Sequence, residues 1–511
     1  MHWADVIADR LAEIGDTHVI ATGITPSGPI HVGNMREVLT ADIITRACED
    51  RGLKAEMIYI ADDADPLRQV YKFLDESVYS DLVGQSLAEI PAPDGEGSYA
   101  DYFLSPFLAT LDELGIERRV VRASASYREG RYTTAALKCI EQRDEIRKIL
   151  DSVREHPLPD TWFPYNPADH NGSQHGVTVT GFDGPILSWT AADGTEGTSD
   201  VRKGQGKLPW RLDWAARWMW NGITCEPFGK DHSAAGGSWD TGGQIVARLG
   251  GSPPLGVPYE WIMLKGAGAM SSSAGNTVSG RELLDIVPPE IMRFIISRNK
   301  PQKAFDFDPG SGLAVTADEY ERLESRYHAE LKALGHHTMG ADMDRKTSQL
   351  ADQGRGFEFA QVDRRGRTVG DAGPPVSFAH LSLLCQVRPD DDAVIEAIGA
   401  DDAQLRYRID RMRNWIASDF FPEESRIRLN PTPSSPEDAV LRAAIRALLA
   451  EVDWTAEAIQ NGLPETAKSL DLPVRDAFRV TYQSLLGTSR GPRVGTLLAA
   501  FDREEILAAF D

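Results

Sequence analysis

The sequence predicts an α/β protein whose parallel sheet is interrupted by insertions and followed by an all-α C-terminal domain. Apolar runs at 18–20 and 54–60 flank a segment whose apolar residues recur at helical spacing. Strand, helix and strand in this order form a parallel βαβ unit. From about residue 311 to residue 511, amphipathic stretches such as 439–452 and 474–486 replace strand patterns. The chain should therefore contain a parallel core and a separate helical region.

The composition is that of a globular protein with several domains. The 511 residues are 41% hydrophobic and 26% charged. A chain of this length holds roughly two to four domains with ample cores. The net charge of −23 argues against indiscriminate nucleic-acid binding, because phosphate contacts need local lysine and arginine. An acidic protein can still carry a basic stripe, so an RNA partner is compatible with this charge, whereas DNA binding is not expected.

The N-terminus and the cysteines both indicate the cytoplasm. Residues 1–15 alternate acidic and apolar side chains like an amphipathic helix and lack the basic start and apolar centre of a secretory signal. No run is long and apolar enough to cross a membrane, so no membrane partner is expected. The four cysteines lie far apart without a CxxC pair, which favours reduced thiols over a disulfide framework.

The stretch 21–34, ATGITPSGPIHVGN, follows the first apolar run and precedes the helical pattern. A strand, a turn and a helix N-terminus in this order can hold phosphate through free amides and the helix dipole. Three glycines let the backbone approach a ligand closely, and they are Gly23, Gly28 and Gly33. His31 can donate a hydrogen bond to a phosphate oxygen, and Asn34 follows one turn later. The alternative is an ordinary βα turn in which His31 only caps a helix.

The sequence of this turn matches neither a Walker loop nor a GxGxxG turn. HVGN instead resembles the HIGH signature of class I aminoacyl-tRNA synthetases, and GITPSGPIHVGN resembles the class I form of lysyl-tRNA synthetase. The resemblance implies a Rossmann-like nucleotide-binding core with insertions and an all-α anticodon-binding domain. It also implies ATP with Mg²⁺, L-lysine and tRNA(Lys) as ligands. In this reading His31 and Asn34 are catalytic, Gly23 and Thr25 contact lysine, and ATP contacts Pro26, Gly28, His31, Gly33 and Asn34.

An acidic run, ADDADPLR at 61–68, follows the second predicted strand. It should lie at the carboxyl end of the sheet, where open α/β sheets bind ligands. A site for lysine needs at least one carboxylate to pair the ε-ammonium, and Asp62 is the candidate. Alternatively, Asp62, Asp63 and Asp65 only favour the dipole of a solvated helix N-terminus.

The next part of the chain, 71–207, resembles the connective insertion that class I synthetases place between the halves of their nucleotide fold. Residues from about 71 to 155 are predicted to be mostly helical, and 162–207 to form a small β-rich insert. Many family members carry zinc ligands in this insert. Here no cysteine lies between 162 and 210, so His170 and His175 are expected at the surface and no structural zinc is expected. The predicted core halves are then 1–70 and 208–310, and 311–511 is the helical domain.

The stretch 208–242 concentrates tryptophan with charged residues and glycine-rich turns. Such side chains are costly to bury unless they pair with each other or with a polar ligand. Within it, Gly229-x-Asp231 resembles the class I GxD element, whose acid approaches the nucleoside sugar.

The same stretch contains the rest of the predicted lysine site. The resemblance places Trp210 and His232 in the amino-acid pocket, and Glu226 and Asp213 are further candidates for ammonium or amine contacts. Aromatic core packing is the alternative, and it is favoured for Trp214 and Trp218, which lie four residues apart on one helical face.

Residues 269–276, AMSSSAGN, resemble the mobile KMSKS loop, the second class I signature. The resemblance implies ATP contacts from Met270, Ser271, Ser272 and Ser273, with Ser271 and Ser273 acting in catalysis. The places where lysine is expected hold other residues, namely Ala269, Ser272 and Ala274. Serine hydroxyls and glycine amides can still bind phosphate, and Lys265 can reach the phosphates. The missing lysines nevertheless put the rate of adenylation in doubt. A plain Gly/Ser linker is the alternative.

In the helical domain, arginines precede aromatic residues between 406 and 428. Cations can bind phosphates, and aromatic rings can stack on unpaired bases. Arg406, Arg411 and Trp415 are the predicted tRNA contacts. The alternative explanation of the arginines is the solvated face of a helix.

The order of these motifs along the whole chain predicts a class I lysine–tRNA ligase. Such an enzyme forms lysyl-adenylate from lysine and ATP and transfers the lysyl group to the 3′ end of tRNA. Two alternatives stay open. One is a class I-like ligase with a small acceptor, favoured by the missing loop lysines and the acidic charge. The other is a tRNA-binding protein without catalytic turnover.

Overall fold

The computed structural model describes residues 1–266, 268–269, 277–331, 345–363, 376–430 and 435–510. The predicted order of strand, helix and strand is confirmed at the start of the chain. The strands in these ranges are β1 (Thr17–Ile24), β2 (Lys54–Ala61), β3 (Arg119–Arg122), β4 (Asn166–Pro167), β5 (Thr178–Asp183), β6 (Ile186–Thr190), β7 (Glu196–Asp200), β8 (Gly206–Lys207), β9 (Cys225–Gly229), β10 (Leu255–Tyr259), β11 (Ile262–Leu264), β12 (Gly268–Ala269) and β13 (Phe305–Phe307).

The α-helices alternate with these strands up to β13 and then dominate the chain. Up to that point they are α1 (Trp3–Ala12), α2 (Val32–Asp50), α3 (Glu76–Tyr79), α4 (Tyr99–Glu113), α5 (Ala123–Arg128), α6 (Thr133–Glu141), α7 (Arg143–Asp151), α8 (Trp210–Trp220), α9 (Ser238–Leu249), α10 (Gly280–Ile286) and α11 (Pro289–Ser297). Beyond β13 they are α12 (Ser311–Arg326), α13 (Arg345–Ala360), α14 (Phe378–Val387), α15 (Asp391–Ile398), α16 (Ala403–Ala417), α17 (Ala439–Glu451), α18 (Ala456–Ser469), α19 (Val474–Leu486), α20 (Val494–Ala500) and α21 (Arg503–Ala509). The predicted helices 439–452 and 474–486 correspond to α17 and α19.

Five parallel strands form the central sheet in the order β10-β9-β1-β2-β3. The chain runs from β1 to β2 on one side of β1, and β9 and β10 lie on the other side. This change of direction creates a crevice at the carboxyl ends of β1 and β9, where open α/β sheets bind ligands. β2 is buried from Met57 to Ala61, as expected for an apolar strand covered on both faces.

Helix α2 covers the sheet at this crevice and contacts β1, β2 and β9. Its apolar residues Met35, Leu39 and Ile43 are fully buried. Helices α8 and α9 pack on one another and contribute Trp218 and Ile245 to the core that lies against β1 and β2. The turns that precede α2, α8 and α9 therefore have fixed positions around the crevice.

The insertion differs in part from the prediction. Residues 71–98 form mainly turns and the single-turn helix α3 rather than long helices. Apolar side chains in these turns, such as Leu87 and Ile90, are buried without a helix. The four-residue strand β3, which was not predicted, joins the edge of the central sheet beside β2. The predicted β-rich insert is present as an antiparallel sheet in the order β5-β6-β7.

The chain divides into two compact units. The first comprises Met1–Leu284, Pro289–Phe307 and Arg326–Val369, and the second comprises Asp285–Pro288, Asp308–Ser325 and Gly370–Asp511. The first unit contains the parallel sheet, and the second is all-helical. The finer boundaries at 70, 207 and 310 stay predictions.

Among the helices that the structure describes, none combines the length and the apolar character needed to cross a bilayer.

Candidate active site

A cavity of about 660 Å³ opens at the carboxyl ends of β1, β2, β9 and β10. Most of the predicted site residues in the described part of the chain line it. These are Gly23, Thr25, His31, Gly33, Asn34, Asp62, Trp210, Glu226, Gly229, Asp231 and His232. Further lining residues, including Glu37, Asp65, Arg68, Trp214, Arg217, Tyr259 and Trp261, were not predicted as site residues. The sequence therefore located the cavity but not all of its charges.

His31 is the N-cap of α2, and its Nδ1 accepts a hydrogen bond from the Gly33 N–H at 3.1 Å. Asn34 completes the cap, because its Oδ1 accepts from the His31 N–H at 3.2 Å. Since Nδ1 is the acceptor, a neutral imidazole carries its proton on Nε2. Burial lowers the pKa of His31 to about 4, so the ring is neutral at physiological pH. His31 thus caps the helix with one nitrogen and keeps an N–H donor on the other.

The described residues on both sides of the second signature lie near this turn. Ser279 forms an antiparallel bridge with His31, and the Val32 N–H donates to the Val278 carbonyl at 2.8 Å. On the other side, β12 pairs with β11, whose residue Ile262 lines the cavity. The predicted ATP contacts themselves lie outside the described residues, and they are Met270, Ser271, Ser272 and Ser273. The chain is thus brought to the crevice immediately before and after the serine-rich stretch.

Two predicted ATP contacts, Pro26 and Gly28, are buried inside the loop between β1 and α2. Neither is among the residues that line the cavity. The loop is held from outside by Tyr99, whose hydroxyl donates to the Ser27 carbonyl at 2.8 Å. The predicted contact of Pro26 and Gly28 with ATP is therefore not supported, because both residues are buried and neither lines the cavity.

Ion pairs on one wall of the cavity join three carboxylates to two cations. Arg217 donates to both oxygens of Asp62, at 2.8 Å from Nη1, and to Oδ2 of Asp213 at 2.5 Å. Lys207 lies 3.2 Å from Asp213 Oδ2 and also pairs with Asp65. Burial raises the pKa of Asp62, an effect that the charge of Arg217 opposes. With every group ionised, the network carries one surplus negative charge beside the cavity.

This network corrects the prediction for Asp62. Its carboxylate already binds the guanidinium of Arg217 through both oxygens, so it is not a vacant partner for an incoming ammonium. Thr25, predicted to contact lysine, donates to Asp65 Oδ2 at 2.8 Å and so belongs to the same network. The network links β2, α8 and the small insert around one edge of the cavity.

Glu226 is the cavity carboxylate surrounded by aromatic side chains. Its Oε1 accepts from the Trp214 indole at 2.9 Å, and its Oε2 accepts from the Trp218 indole at 2.5 Å. Burial raises the pKa of Glu226 to about 8. His232 lies against this wall, with ring centroids 5.8 Å from Trp210 and 5.4 Å from Trp214. Trp218 therefore packs in the core, as the alternative explanation predicted, and Trp214 packs against that core while it lines the cavity. Both indoles also orient a candidate binding carboxylate.

Glu37, on α2, ties together the ends of two strands. It accepts hydrogen bonds from Thr22 Oγ1 at 2.5 Å, from the Gly23 N–H at 3.0 Å and from the Tyr259 hydroxyl at 2.7 Å. Burial raises the pKa of Glu37. Its acceptors are engaged by neutral donors that fix β1 against β10, so its main effect is to hold the cavity floor.

The Gly229-x-Asp231 element lies at the carboxyl end of β9, at the same edge of the sheet as the carboxyl ends of β1 and β2. A Cβ at Gly229 would stand 2.5 Å from Asp231 Oδ1, so glycine allows the carboxylate to fold back over the backbone. Asp231 is exposed, and its Oδ2 lies 3.5 Å from His232 Nε2. The element therefore presents a carboxylate at the mouth of the cavity.

The predicted tRNA contacts in the helical unit have other partners. Arg406 pairs with Asp401, with Nε 2.7 Å from Oδ1, and Arg411 lies 4.0 Å over the ring of Tyr407. Trp415 is only 1% exposed, and its indole donates to the Pro309 carbonyl at 2.9 Å. The prediction that Trp415 stacks on a base is therefore wrong, because its ring is part of the core of the unit.

We expect Trp415→Phe to lower stability without weakening tRNA binding. The phenyl ring keeps most of the packing, but the Pro309 carbonyl loses its donor, which costs about 1–2 kcal/mol. Chemical denaturation followed by circular dichroism measures the loss, and filter binding of tRNA is the second measurement. Weaker tRNA binding at unchanged stability would show that Trp415 contacts tRNA.

The described residues contain no group of three or more His, Cys, Asp or Glu side chains arranged to hold a metal ion. Of the two histidines of the insert, His170 lies 3.8 Å from Asp193 and His175 is exposed. The four cysteines are buried free thiols. The expectation that the insert holds no zinc stays a prediction.

The parallel sheet, the HVGN turn at its crevice and the GxD element at the next strand end define a class I aminoacyl-tRNA synthetase. Residues 1–345 match the family model described as tRNA synthetases class I (K). Residues 419–510 match the model of an anticodon binding domain.

The chain is similar over its full length to archaeal enzymes. A lysine–tRNA ligase of Archaeoglobus fulgidus is 39% identical, with 100% of both chains covered. One from Methanosarcina barkeri is 38% identical, covering 100% of this chain and 97% of the relative. A solved structure, a glutamate tRNA ligase from Elizabethkingia meningosepticum, aligns with 97% of this chain and 98% of its own at 14% identity and a TM-score of 0.45. The family match and the two lysine–tRNA ligases show that the chain belongs to the class I (K) tRNA synthetase family.

Proposed function

We propose that this protein is a lysine–tRNA ligase. A lysine carboxylate oxygen attacks the α-phosphorus of ATP, the bond from that phosphorus to the bridging oxygen breaks, and pyrophosphate leaves. A terminal ribose hydroxyl of tRNA then attacks the carbonyl carbon of the lysyl-adenylate and releases AMP. The chain needs no side-chain nucleophile for either step, so its contribution is positioning and charge stabilisation.

His31 and the N-terminus of α2 form the phosphate end of the site. The His31 Nε2–H donor and the first amides of α2 can meet phosphate oxygens that gain charge in the transition state. Asn34 acts through His31, because its Oδ1 is engaged in the cap. Asp231 is our candidate for the nucleoside sugar. Ser271 and Ser273 stay the candidate contacts of the second signature.

Glu226 is our candidate partner for the ε-ammonium of lysine. Asp62 and Asp65 already pair with cations, whereas the donors that Glu226 receives are two neutral indoles. A carboxylate has about four acceptor sites, so two remain for an ammonium. The neighbouring rings of Trp210 and Trp214 suit the apolar stem of lysine and can also interact with its cation.

Gly23 keeps another part of the cavity wall open for the substrate, because a side chain at this position would approach Ile60 and the Arg217 guanidinium. Thr25 lines the same cavity and donates its hydroxyl to Asp65. Lysine then extends from Glu226 with its carboxylate directed toward the turn that is proposed to hold the phosphates.

Mg²⁺ is expected to enter with ATP. This ion is usually held by substrate phosphates, water and one or two carboxylates. Asp231 is an exposed carboxylate in the cavity lining, so it could supply one such ligand to an ion that arrives on the triphosphate. When bound, Mg²⁺ neutralises phosphate charge.

We further propose that the protein works in the cytoplasm, because all four cysteines are buried free thiols. Burial raises the pKa of Cys48 and Cys139 to about 12, which keeps them protonated and unreactive.

The helical unit is proposed to hold the anticodon region, with Arg406 and Arg411 as candidate contacts whose acidic neighbours would have to be displaced.

The observation that carries the proposal is the pairing of His31 and Val32 with Ser279 and Val278, which brings the flank of the second signature to the first. Lysine-dependent ATP–pyrophosphate exchange and charging of purified tRNA(Lys) test it. Both activities are expected. Exchange without charging would favour a ligase with a small acceptor, and tRNA binding without exchange would indicate a protein that has lost turnover.

A further inference from the structure

A strip that contains two cations and two aromatic rings leads away from the cavity along residues 68–73, RQVYKF, in which Val70 and Tyr71 are half-buried and the other four residues are exposed. Arg68 lines the cavity and is exposed, and Lys72 and Phe73 are exposed further along. The rings of Tyr71 and Phe73 are stacked, with centroids 5.6 Å apart and planes within 8° of parallel. Phe73 is 43% exposed.

The strip has a rigid support that is connected to the first signature. Phe73 packs edge-on against Phe103 at 5.7 Å, and Phe103 lies 5.0 Å from Tyr99. Tyr99 in turn donates its hydroxyl to the Ser27 carbonyl in the loop before α2. The exposed rings are therefore two ring contacts away from the loop that carries His31.

The start of the strip is also fixed. Leu67 is buried, and its N–H and carbonyl bond to the Gln85 carbonyl and the Gly84 N–H at 2.9 and 2.8 Å. Arg68 follows directly and has no acidic partner within ion-pair distance among the residues described. In a chain with a net charge of −23, an unpaired arginine at a cavity mouth is suited to an anionic ligand.

We propose that this strip binds the unpaired nucleotides at the 3′ end of tRNA as they enter the cavity. Exposed rings stack on bases irrespective of sequence, and neighbouring cations meet the phosphates. Arg68 contacts the phosphate nearest the cavity, and Tyr71 with Phe73 provides the stacking surface outside. The proposal rests on the proposed function, since it requires tRNA as the acceptor.

The test compares a double variant with matched controls. Tyr71→Ala with Phe73→Ala is expected to lower the single-turnover rate of lysyl transfer to subsaturating tRNA by about tenfold or more. Lysine-dependent pyrophosphate exchange, which needs no tRNA, should be unchanged. The pair Tyr71→Phe with Phe73→Tyr keeps both rings and should restore transfer. The control variant Tyr102→Ala removes another exposed ring, which contacts Phe103 but lies outside the strip, and it should leave transfer unchanged.

Binding of two RNAs locates the contact. The wild-type protein should bind intact tRNA(Lys) more tightly than the same transcript without its unpaired 3′ nucleotides, and the double alanine variant should lose this difference. Arg68→Gln should reduce the slope of log binding constant against log salt concentration by about 0.7, the value for one phosphate of a single strand.

Equal weakening of both RNAs, or wild-type transfer by the double alanine variant, would overturn the proposal. Failure of the proposed function would look different, because the wild-type protein itself would then show no lysine-dependent exchange.

Discussion

His31→Ala is expected to lower lysine-dependent pyrophosphate exchange by about 10²-fold or more, the usual effect of removing one preorganised donor at a site of developing charge. Because His31 Nδ1 accepts the Gly33 N–H, the Nε2–H of His31 is left as the proposed donor to phosphate. Lysine binding, measured by calorimetry, should be nearly intact, since the proposed lysine contacts Trp214 and Glu226 lie on α8 and β9.

His31→Asn separates the two functions of this side chain. Asparagine is a good N-cap and should preserve α2, whereas alanine also loses a cap worth about 0.5–2 kcal/mol. Both variants should lose exchange, and only the alanine variant should lose stability in denaturant. Wild-type exchange by His31→Asn would show that His31 is only a cap.

The pH dependence gives an independent check on His31. Its pKa is lowered to about 4 by burial, so the ring is neutral across the range in which exchange is measured. At saturating lysine, no loss in the rate of exchange is therefore expected as pH rises from 6 to 9. A histidine that acted as a cation would instead lose activity as pH rises through its pKa.

Local signals explain why the first signature was located from sequence. The glycines and the helical spacing after Asn34 lie within one turn and one helix, so they do not depend on the rest of the fold. The cap between His31 and Asn34 also had a signal, because the spacing of three residues is that of a capping box. β3 lacked such a signal, since its four residues, RVVR, are placed by pairing with β2.

The charges that surround the cavity come from distant parts of the chain. Arg217 is 155 residues from Asp62, and Lys207 is 142 residues from Asp65. No sequence pattern links such pairs, so a carboxylate that looked available from sequence turned out to be paired. Trp415 differs, because Leu405, Ile409, Met412 and Trp415 recur at helical spacing and are all buried, which is a signal for the core.

Glu226→Gln is expected to raise the KM for lysine by about 10²-fold, because a buried charge partner is worth about 2–5 kcal/mol. Glutamine keeps the volume and can still accept the Trp214 indole through its oxygen. The KM for ATP should stay nearly constant, because the proposed phosphate contacts lie at the N-terminus of α2. Discrimination against norleucine, which has the stem of lysine without its ammonium, should fall in parallel.

The pKa of Glu226 adds a second signature of the same contact. Burial raises this pKa to about 8, so below that pH the empty site holds a neutral carboxylic acid. The ammonium of free lysine stays charged up to about pH 10 and binds the ionised carboxylate. The value of kcat/KM for lysine should therefore rise about tenfold per pH unit below pH 8 and then level off.

Glu226→Gln should remove this rise, because its side chain does not titrate. A Glu226→Gln variant with the wild-type pH profile would show that another group controls the pH dependence. An unchanged KM for lysine would show that the ε-ammonium binds at the wall formed by Asp62 and Arg217 instead of at Glu226. Equal binding of lysine and norleucine by the wild-type protein would exclude both walls as the source of specificity. The aromatic wall and the ion-paired wall are thus separated by one substitution measured with two ligands.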